Sequence, residues 1–274
     1  QEIVGLQNME AFHRQLSRYA RIRRRAECAP YMPKVKRQIL WVEMDKAQEK
    51  MYTELGGKSQ LTFTESGMLL VAANSLEKFT RKRQILASPK ILDPDGKSFG
   101  GAINDLLERL EDAEEEEDLD AQHIVVFSSS RKALPHIEAA LRGHGHRNVF
   151  TIAGGTEPEE LKAAQEAFER TRGIMLSTTQ FAQGFSLSTA RMCYHISFDL
   201  DPNNNKQAED RLVGIEGDHN IMSYYYCYRH TDDEELSGRV EDRDEIIKIT
   251  TDSSIVRPIM FKDKFVEWTP ITDE

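Results

Sequence analysis

Chemistry in this chain is expected where short apolar runs end. Ser128-Ser129-Ser130 follows the run 123–127, and Gly154-Gly155-Thr156 follows 149–153. Ser177-Thr178-Thr179 closes the run that starts at Gly173, with Gly184 a little further on. Asp199 and Asp201-Pro202 follow 192–198 and open a helix that carries Gln207 and, one turn later, Arg211. Hydroxyls and backbone N–H groups at the start of a helix either cap it or hold a phosphate at its positive end. The permanent charge and five donors of a guanidinium suit negative charge developing on a transferring phosphoryl group. The plain alternative for Arg211 is an ion pair with Glu209 or Asp210.

These segments need elements to position them. From His123 onward, short apolar strands (123–127, 149–153, 173–177, 192–198 and 221–228) alternate with helical stretches at 131–142 and 157–170. Thr156 and Glu159 have the spacing of a capping box for the second of these. Alternation of continuous apolar strands with helices implies an α/β fold, a parallel sheet with helices on both faces. Ligands of such sheets bind beyond the carboxyl ends of the strands. The first part of the chain reads as mainly helical. A helix over 11–25 is broken by Pro30 and Pro33, and 37–44 alternates as a strand. A helix over 46–55 ends at Gly56-Gly57, and another spans 65–86. Ile103, Leu106, Leu107 and Leu110 have amphipathic helical spacing. That helix runs into 111–120, eight carboxylates and no base, which reads as a solvated helix end or linker. The expected division is a basic, mainly helical extension over 1–110 with one strand, an acidic linker over 111–121, an α/β lobe over 122–235 and a tail over 236–274.

Composition excludes several classes. The 274 residues carry 36 Lys+Arg against 46 Asp+Glu, a net charge of −10 that hides an uneven distribution. Residues 1–50 hold 11 bases against 6 acids, and the rest 25 against 40. A basic arm, nine Lys+Arg and one Glu over 14–37, therefore precedes an acidic body; it binds nucleic acid or simply packs and pairs with acids. Three widely spaced cysteines give neither a zinc site nor a disulfide framework, the usage of a reduced, intracellular protein. His144-Gly145-His146 is the only close histidine pair and reads as a solvated turn. No apolar run approaches the roughly 18 residues of a membrane helix. A chain that starts at Gln1 is expected to be a piece of a longer one. No phosphate loop is present: Gly57-Lys58-Ser59 and Gly96-Lys97-Ser98 have Tyr52 and Ile91 where its first glycine belongs. An unrelated α/β enzyme would need such a loop or a G-x-S-x-G nucleophile turn, and neither is present.

Taken in order, the segments resemble the second, RecA-like lobe of the Swi/Snf-type helicase-like ATPases of helicase superfamily 2, over about residues 12–235. Ile22-Arg23-Arg24-Arg25 stands where that family has Leu-Arg-Arg, and Met32-Pro33-Lys34 is similar to Leu-Pro-Pro-Lys. Gln48, Tyr52 and Leu55 resemble its Gln…Tyr…Leu helix. The stretch from Arg83-Gln84-Ile85 to Pro89 is similar to Arg-Gln-Ile-Cys-Asn-His-Pro. Val125-Val126-Phe127-Ser128 resembles motif IV, and Gly154 to Phe168 the Asp-Gly-Ser-Thr…Phe segment. Leu176-Ser177-Thr178 with Gly184 to Leu187 resembles motif V, and Gln207-Ala208-Glu209-Asp210-Arg211 resembles motif VI.

The resemblance implies that Gly184, Gln207 and Arg211 face a nucleotide across the cleft between two lobes, with Arg211 in the catalytic position. It implies that Ser128, Gly154, Thr156, Ser177 and Thr178 lie along a nucleic-acid backbone track, with Arg23, Arg24 and Arg25 adding charge. The implied cofactors are ATP and Mg²⁺ in the complete two-lobe protein. The implied partners are double-stranded DNA, or RNA, and the missing first RecA-like lobe. The chain also departs from the family. Its second motif VI arginine is replaced by Gly214; supplied as an arginine finger, such a group is worth about 10³–10⁵ in rate. Ala153, Leu161, Gln180-Phe181-Ala182 and Glu216-Gly217 replace other family residues. These are the marks of a divergent, viral member or of a lobe whose ATPase has decayed into a binding module.

Overall fold

Strand-forming apolar runs and helices with definite caps build the layers of this chain. The computed structural model describes residues 5–6, 8–20, 28–29, 31–57, 60–62, 69–72, 74–116, 122–181, 186–214, 220–238, 240 and 259–260. The chain divides into two compact units, Gln1–Pro30 with Gly238–Glu274, and Tyr31–Ser237. The first unit holds strand β1 (Gly5–Leu6) and helix α1 (Met9–Tyr19). The second contains β2 (Val35–Val42), α2 (Lys46–Gly57), β3 (Gln60–Thr62), β4 (Leu69–Val71), α3 (Ser75–Ala87) and α4 (Gly101–Glu115). It continues with β5 (His123–Ser128), α5 (Leu134–Gly143), β6 (Val149–Ile152), α6 (Pro158–Arg170) and β7 (Gly173–Thr178). β8 (Met192–Ser197), α7 (Pro202–Asp210) and β9 (Ile221–Tyr228) complete it. In the first unit, β10 (Ile259–Met260) pairs antiparallel with β1.

Six strands form one sheet in the order β2-β9-β8-β5-β7-β6, and every neighbouring pair is parallel. Side chains alternate between two cores, as the two-residue period of a strand requires. Ile124, Val126, Ile174 and Leu176 join one core with residues of α2, α3, α4 and α5. Val125, Phe127 and Met175 join the other with Phe168 of α6 and Ala208 of α7. Each fully buried aliphatic or aromatic side chain stabilises the sheet by about 1.5–3 kcal/mol. The fold is the expected RecA-like parallel sheet covered on both faces.

The crossovers create the site. The chain leaves β5 for β6 and β7 on one side, then crosses back to β8 on the other. The carboxyl ends of β5 and β8 therefore flank a switch point, where open α/β sheets take their ligands.

Polar pins hold the first helices to the far strand. Asp45 caps α2, accepting from the backbone N–H groups of Ala47 and Gln48 at 3.0 and 2.9 Å. The buried Gln48 amide donates to the Ile85 carbonyl at 2.9 Å and the Tyr228 hydroxyl at 3.1 Å, and accepts from the Gly101 N–H at 3.0 Å. One side chain thus ties α2, α3, α4 and β9 together. Gly101 must be glycine, because a Cβ there would lie 2.0 Å from the Glu43 carbonyl oxygen.

Several local expectations are corrected. The helix expected from residue 65 starts at Ser75. Asn74 caps it by accepting from the Glu77 N–H at 2.8 Å, while Leu69–Val71 pairs with Gln60–Thr62 as a hairpin. Thr156 does not form a capping box; Pro158 sets the first turn of α6 with Glu157 as its cap residue. The Thr156 hydroxyl instead accepts from the Ala153 N–H at 3.2 Å. Helix α1 ends at Tyr19, where Ala20 is extended. The expected boundary at 110 does not coincide with the compact units, because β2 is an edge strand of the same sheet.

Candidate functional site

The loop from β8 to α7 is organised by one carboxylate. Asp199 is buried; its backbone N–H donates to the Asn205 side-chain oxygen at 2.8 Å, and the Asn205 amide donates back to the Asp199 carbonyl at 2.8 Å. The Asp199 carboxylate accepts from the Gln180 amide at 2.8 Å and from the Asp201 N–H at 2.9 Å. Asp201 caps α7, with Pro202 in its first turn. Arg83, from the Arg-Gln-Ile stretch of α3, donates to the Phe198 carbonyl and lies 5.6 Å over the Phe198 ring. The end of β7, the end of β8, α3 and the start of α7 are therefore locked to one another.

Helix α7 presents Gln207 to solvent and carries Arg211 as its buried C-cap residue. Arg211 Nε donates to the Gln207 carbonyl at 3.2 Å. Its own carbonyl accepts from the Leu187 N–H at 2.9 Å, joining the motif V stretch to the motif VI helix through the backbone. Burial draws the Arg211 guanidinium down to about 10, so it stays charged at neutral pH and would gain from a nearby anion. Gly214 lies three residues on, half-buried and without a side chain.

Glu209 has no solvent exposure, and its carboxylate accepts from Arg37 Nε at 2.9 Å to each oxygen and from the Tyr225 hydroxyl at 2.8 Å. Arg37 stands on β2, so a residue of the basic arm reaches across the sheet edge to hold α7. This pair was not legible in the sequence, where the two residues lie 172 positions apart. Burial and Glu209 together hold the Tyr225 phenol well above its usual range.

The other expected residues gather at the carboxyl ends of the central strands, at differing depths. Ser128 is fully buried; its hydroxyl lies 3.0 Å from that of Ser197 on β8 and donates to the Ser130 carbonyl at 3.2 Å. Ser177 is fully buried and Thr178 nearly so. The Thr179 N–H donates to the Ser128 carbonyl at 3.2 Å, which joins the ends of β5 and β7. Gly154 is exposed and Thr156 half-buried. The groups that reach solvent here are partly Ser129 and Ser130, and fully Arg131 and Lys132. The Arg131 guanidinium hangs over the glycine loop, 3.7 Å from where a Cβ on Gly155 would be, and Gly155 has φ +92°. Sequence reasoning missed Arg131, Lys132 and Ser197, although the first two directly follow the serine run. Gly184, Arg23, Arg24 and Arg25 lie outside the described residues.

Among the described residues, no cluster of His, Cys, Asp and Glu is arranged to hold a metal ion, and no helix is long and apolar enough to cross a membrane.

Residues 103–214 match the helicase conserved C-terminal domain family. The chain is 23% identical over 256 residues to a probable chromatin-remodeling complex ATPase chain of Oryza sativa subsp. japonica, covering 87% of this chain and 22% of that protein. It therefore spans about a fifth of the length of that curated relative. Among solved structures it is similar to the SWI2/SNF2 ATPase core of Sulfolobus solfataricus in complex with dsDNA. That match has a TM-score of 0.59 at 18% identity, over 81% of this chain and 47% of the other. It is also similar to the C-terminal domain of the Sulfolobus solfataricus SWI2/SNF2 ATPase, with a TM-score of 0.56 at 16% identity, over 78% and 89% of the two chains.

Proposed function

We propose that this chain, a C-terminal lobe of the Snf2 type with a helicase conserved C-terminal domain, works as half of an ATP-driven motor on double-stranded DNA. The observation that carries the reading is Arg211, a buried guanidinium at the carboxyl-edge side of a parallel sheet, bonded through its backbone to the motif V stretch. Arg211 and Gln207 form one wall of a nucleotide cleft, and a first lobe forms the other. The donor set suits phosphate oxygens; with no acidic cluster here among the described residues, Mg²⁺ belongs with the first lobe. When bound, Mg²⁺ bridges phosphate oxygens and offsets their charge. The loops after β5 and β6 supply Arg131, Lys132 and the N–H groups around Gly154 and Gly155 to the phosphate backbone, contacts that position without reading sequence. The buried Ser128 and Ser177 shape this rim from beneath.

The test is ATP hydrolysis by the complete protein with and without linear double-stranded DNA. DNA-stimulated turnover that falls at least about tenfold in Arg211→Gln supports the motor, since one lost charged contact at the transferring group costs that much or more. Gly214 favours a second reading, a lobe that grips nucleic acid without hydrolysis. No turnover with any DNA or RNA, together with salt-dependent binding, would establish that reading instead. If only the missing guanidinium limits the rate, Gly214→Arg raises it.

A further inference from the structure

The opposite end of the sheet holds a cavity that the proposed motor does not use. It has a volume of about 480 Å³ and opens at the amino ends of β5, β6 and β7, roughly 20 Å from the carboxyl ends given about 3.3 Å per strand residue. Its wall is apolar: Leu110 of α4, Ile124 of β5 and Ile174 of β7. Its rim carries Arg147 just before β6 and Arg172 just before β7. Both rim segments are fixed through their backbones. The Asn148 amide donates to the Arg172 carbonyl at 2.9 Å, and Arg142 donates to the Arg147 carbonyl at 3.0 Å. Gly173 lets the strands close up, since a Cβ there would lie 2.5 Å from the Asn148 carbonyl oxygen.

The turn His144-Gly145-His146 places His146 in this cavity, with Gly145 at φ +105°. One ring nitrogen, Nδ1, lies 3.5 Å from the Glu114 carboxylate. The other, Nε2, is buried and finds no hydrogen-bond partner among the described residues. A buried polar atom left without a partner is costly, and at a cavity wall a ligand is the group that would satisfy it. Burial, with His144 and Arg172 against Glu114, holds this imidazole below its usual range and neutral.

We infer that this cavity is a second binding site for a small phosphomonoester carried on a flat apolar body. Two guanidinium forks and an imidazole match the oxygens of a phosphate dianion. The apolar wall and the volume call for more than the bare ion, because a water-sized group takes only about 30 Å³. The body would lie on Leu110, Ile124 and Ile174, and the phosphate between Arg147, Arg172 and His146 Nε2. A nucleoside monophosphate and a simple aryl phosphate share this chemistry.

Isothermal titration of the 274-residue chain with phenyl phosphate, AMP and inorganic phosphate tests it. Phenyl phosphate or AMP should bind at least about tenfold more tightly than inorganic phosphate, the gain expected from burying a ring face. The tighter of the two identifies the source. Arg172→Ala and Arg147→Ala should each weaken binding about tenfold, and Glu114→Gln should strengthen it by removing a like charge. All three positions are exposed, and urea midpoints matching the parent confirm that the variants fold. Arg211→Gln should leave the affinity unchanged, which separates this site from the nucleotide cleft proposed above. Equal affinity for phenyl phosphate and inorganic phosphate, indifference to both arginines, or no saturable binding overturns the inference.

Discussion

Replacing Arg37 by Ala should cost this fold about 2 kcal/mol, because of the charge it would leave behind. The Glu209 side chain has no exposure, whereas that of Arg37 is 47% exposed. Breaking a fully buried pair from one side costs about 3–5 kcal/mol, and an exposed pair is worth about 0–1. The half-exposed arginine and the surviving Tyr225 hydroxyl bond at 2.8 Å put the expected cost between these limits. For a domain of this size that is a fall in melting temperature of about 4–8 °C. The sign of the double variant is the sharper test. In Arg37→Ala, Glu209 stays buried and charged with a single hydroxyl donor. In Arg37→Ala/Glu209→Gln the charge is gone, so the double variant should be more stable than Arg37→Ala alone. Urea unfolding at neutral pH measures all four species of the cycle. A single variant within about 0.5 kcal/mol of the parent, or a double variant no better than the single, would refute the argument that a stranded buried charge sets the cost.

Three further outcomes are expected. His195 is fully buried between Phe127 and Tyr225, its ring 4.1 Å from that of Tyr225, and burial pulls its pKa down to about 3. The unfolded chain takes up a proton near pH 6.5 and the folded one does not. This contribution is complete above about pH 6.5 and falls by about 1.4 kcal/mol per unit below it. His195→Phe should flatten the decline in urea midpoint between pH 7 and 5 by about 2 kcal/mol. Burial, opposed by Arg83 and assisted by Asp232, raises the Asp233 carboxyl to about 6. The folded state then holds its proton more tightly than the unfolded state, so stability falls as pH rises from about 4 to 6. Asp233→Asn should therefore gain up to about 3 kcal/mol over the parent at pH 7 and nothing at pH 4. A thermal melt at the two pH values checks this. Gly101→Ala should lose about 3 kcal/mol or more, because its Cβ would meet the Glu43 carbonyl at 2.0 Å and backbone cannot yield as a side chain does.

The layers of this protein were determined by local chemistry. Runs such as Ile124 to Phe127 are apolar on both sides, and only a strand covered on two faces accommodates that. The order of polar segments behind those strands carried the resemblance to the Snf2-type lobe, because ligand-facing residues of such sheets follow strand ends in sequence. Strand neighbours were another matter. β2 pairs with β9 although Val35 and Ile221 are far apart in sequence, and no periodicity in either strand encodes that choice. From it follow the Arg37–Glu209 pair and the binding of the helical extension into the sheet. Burial was likewise decided only in three dimensions: Ser128 and Arg131 stand three residues apart, one sealed against Ser197 and the other over the glycine loop. The same is true of the cavity around His146, whose walls come from α4, β5 and the turns before β6 and β7. Pattern within a segment reports which faces are apolar. Which segments meet depends on long-range packing free energy, which no single segment carries.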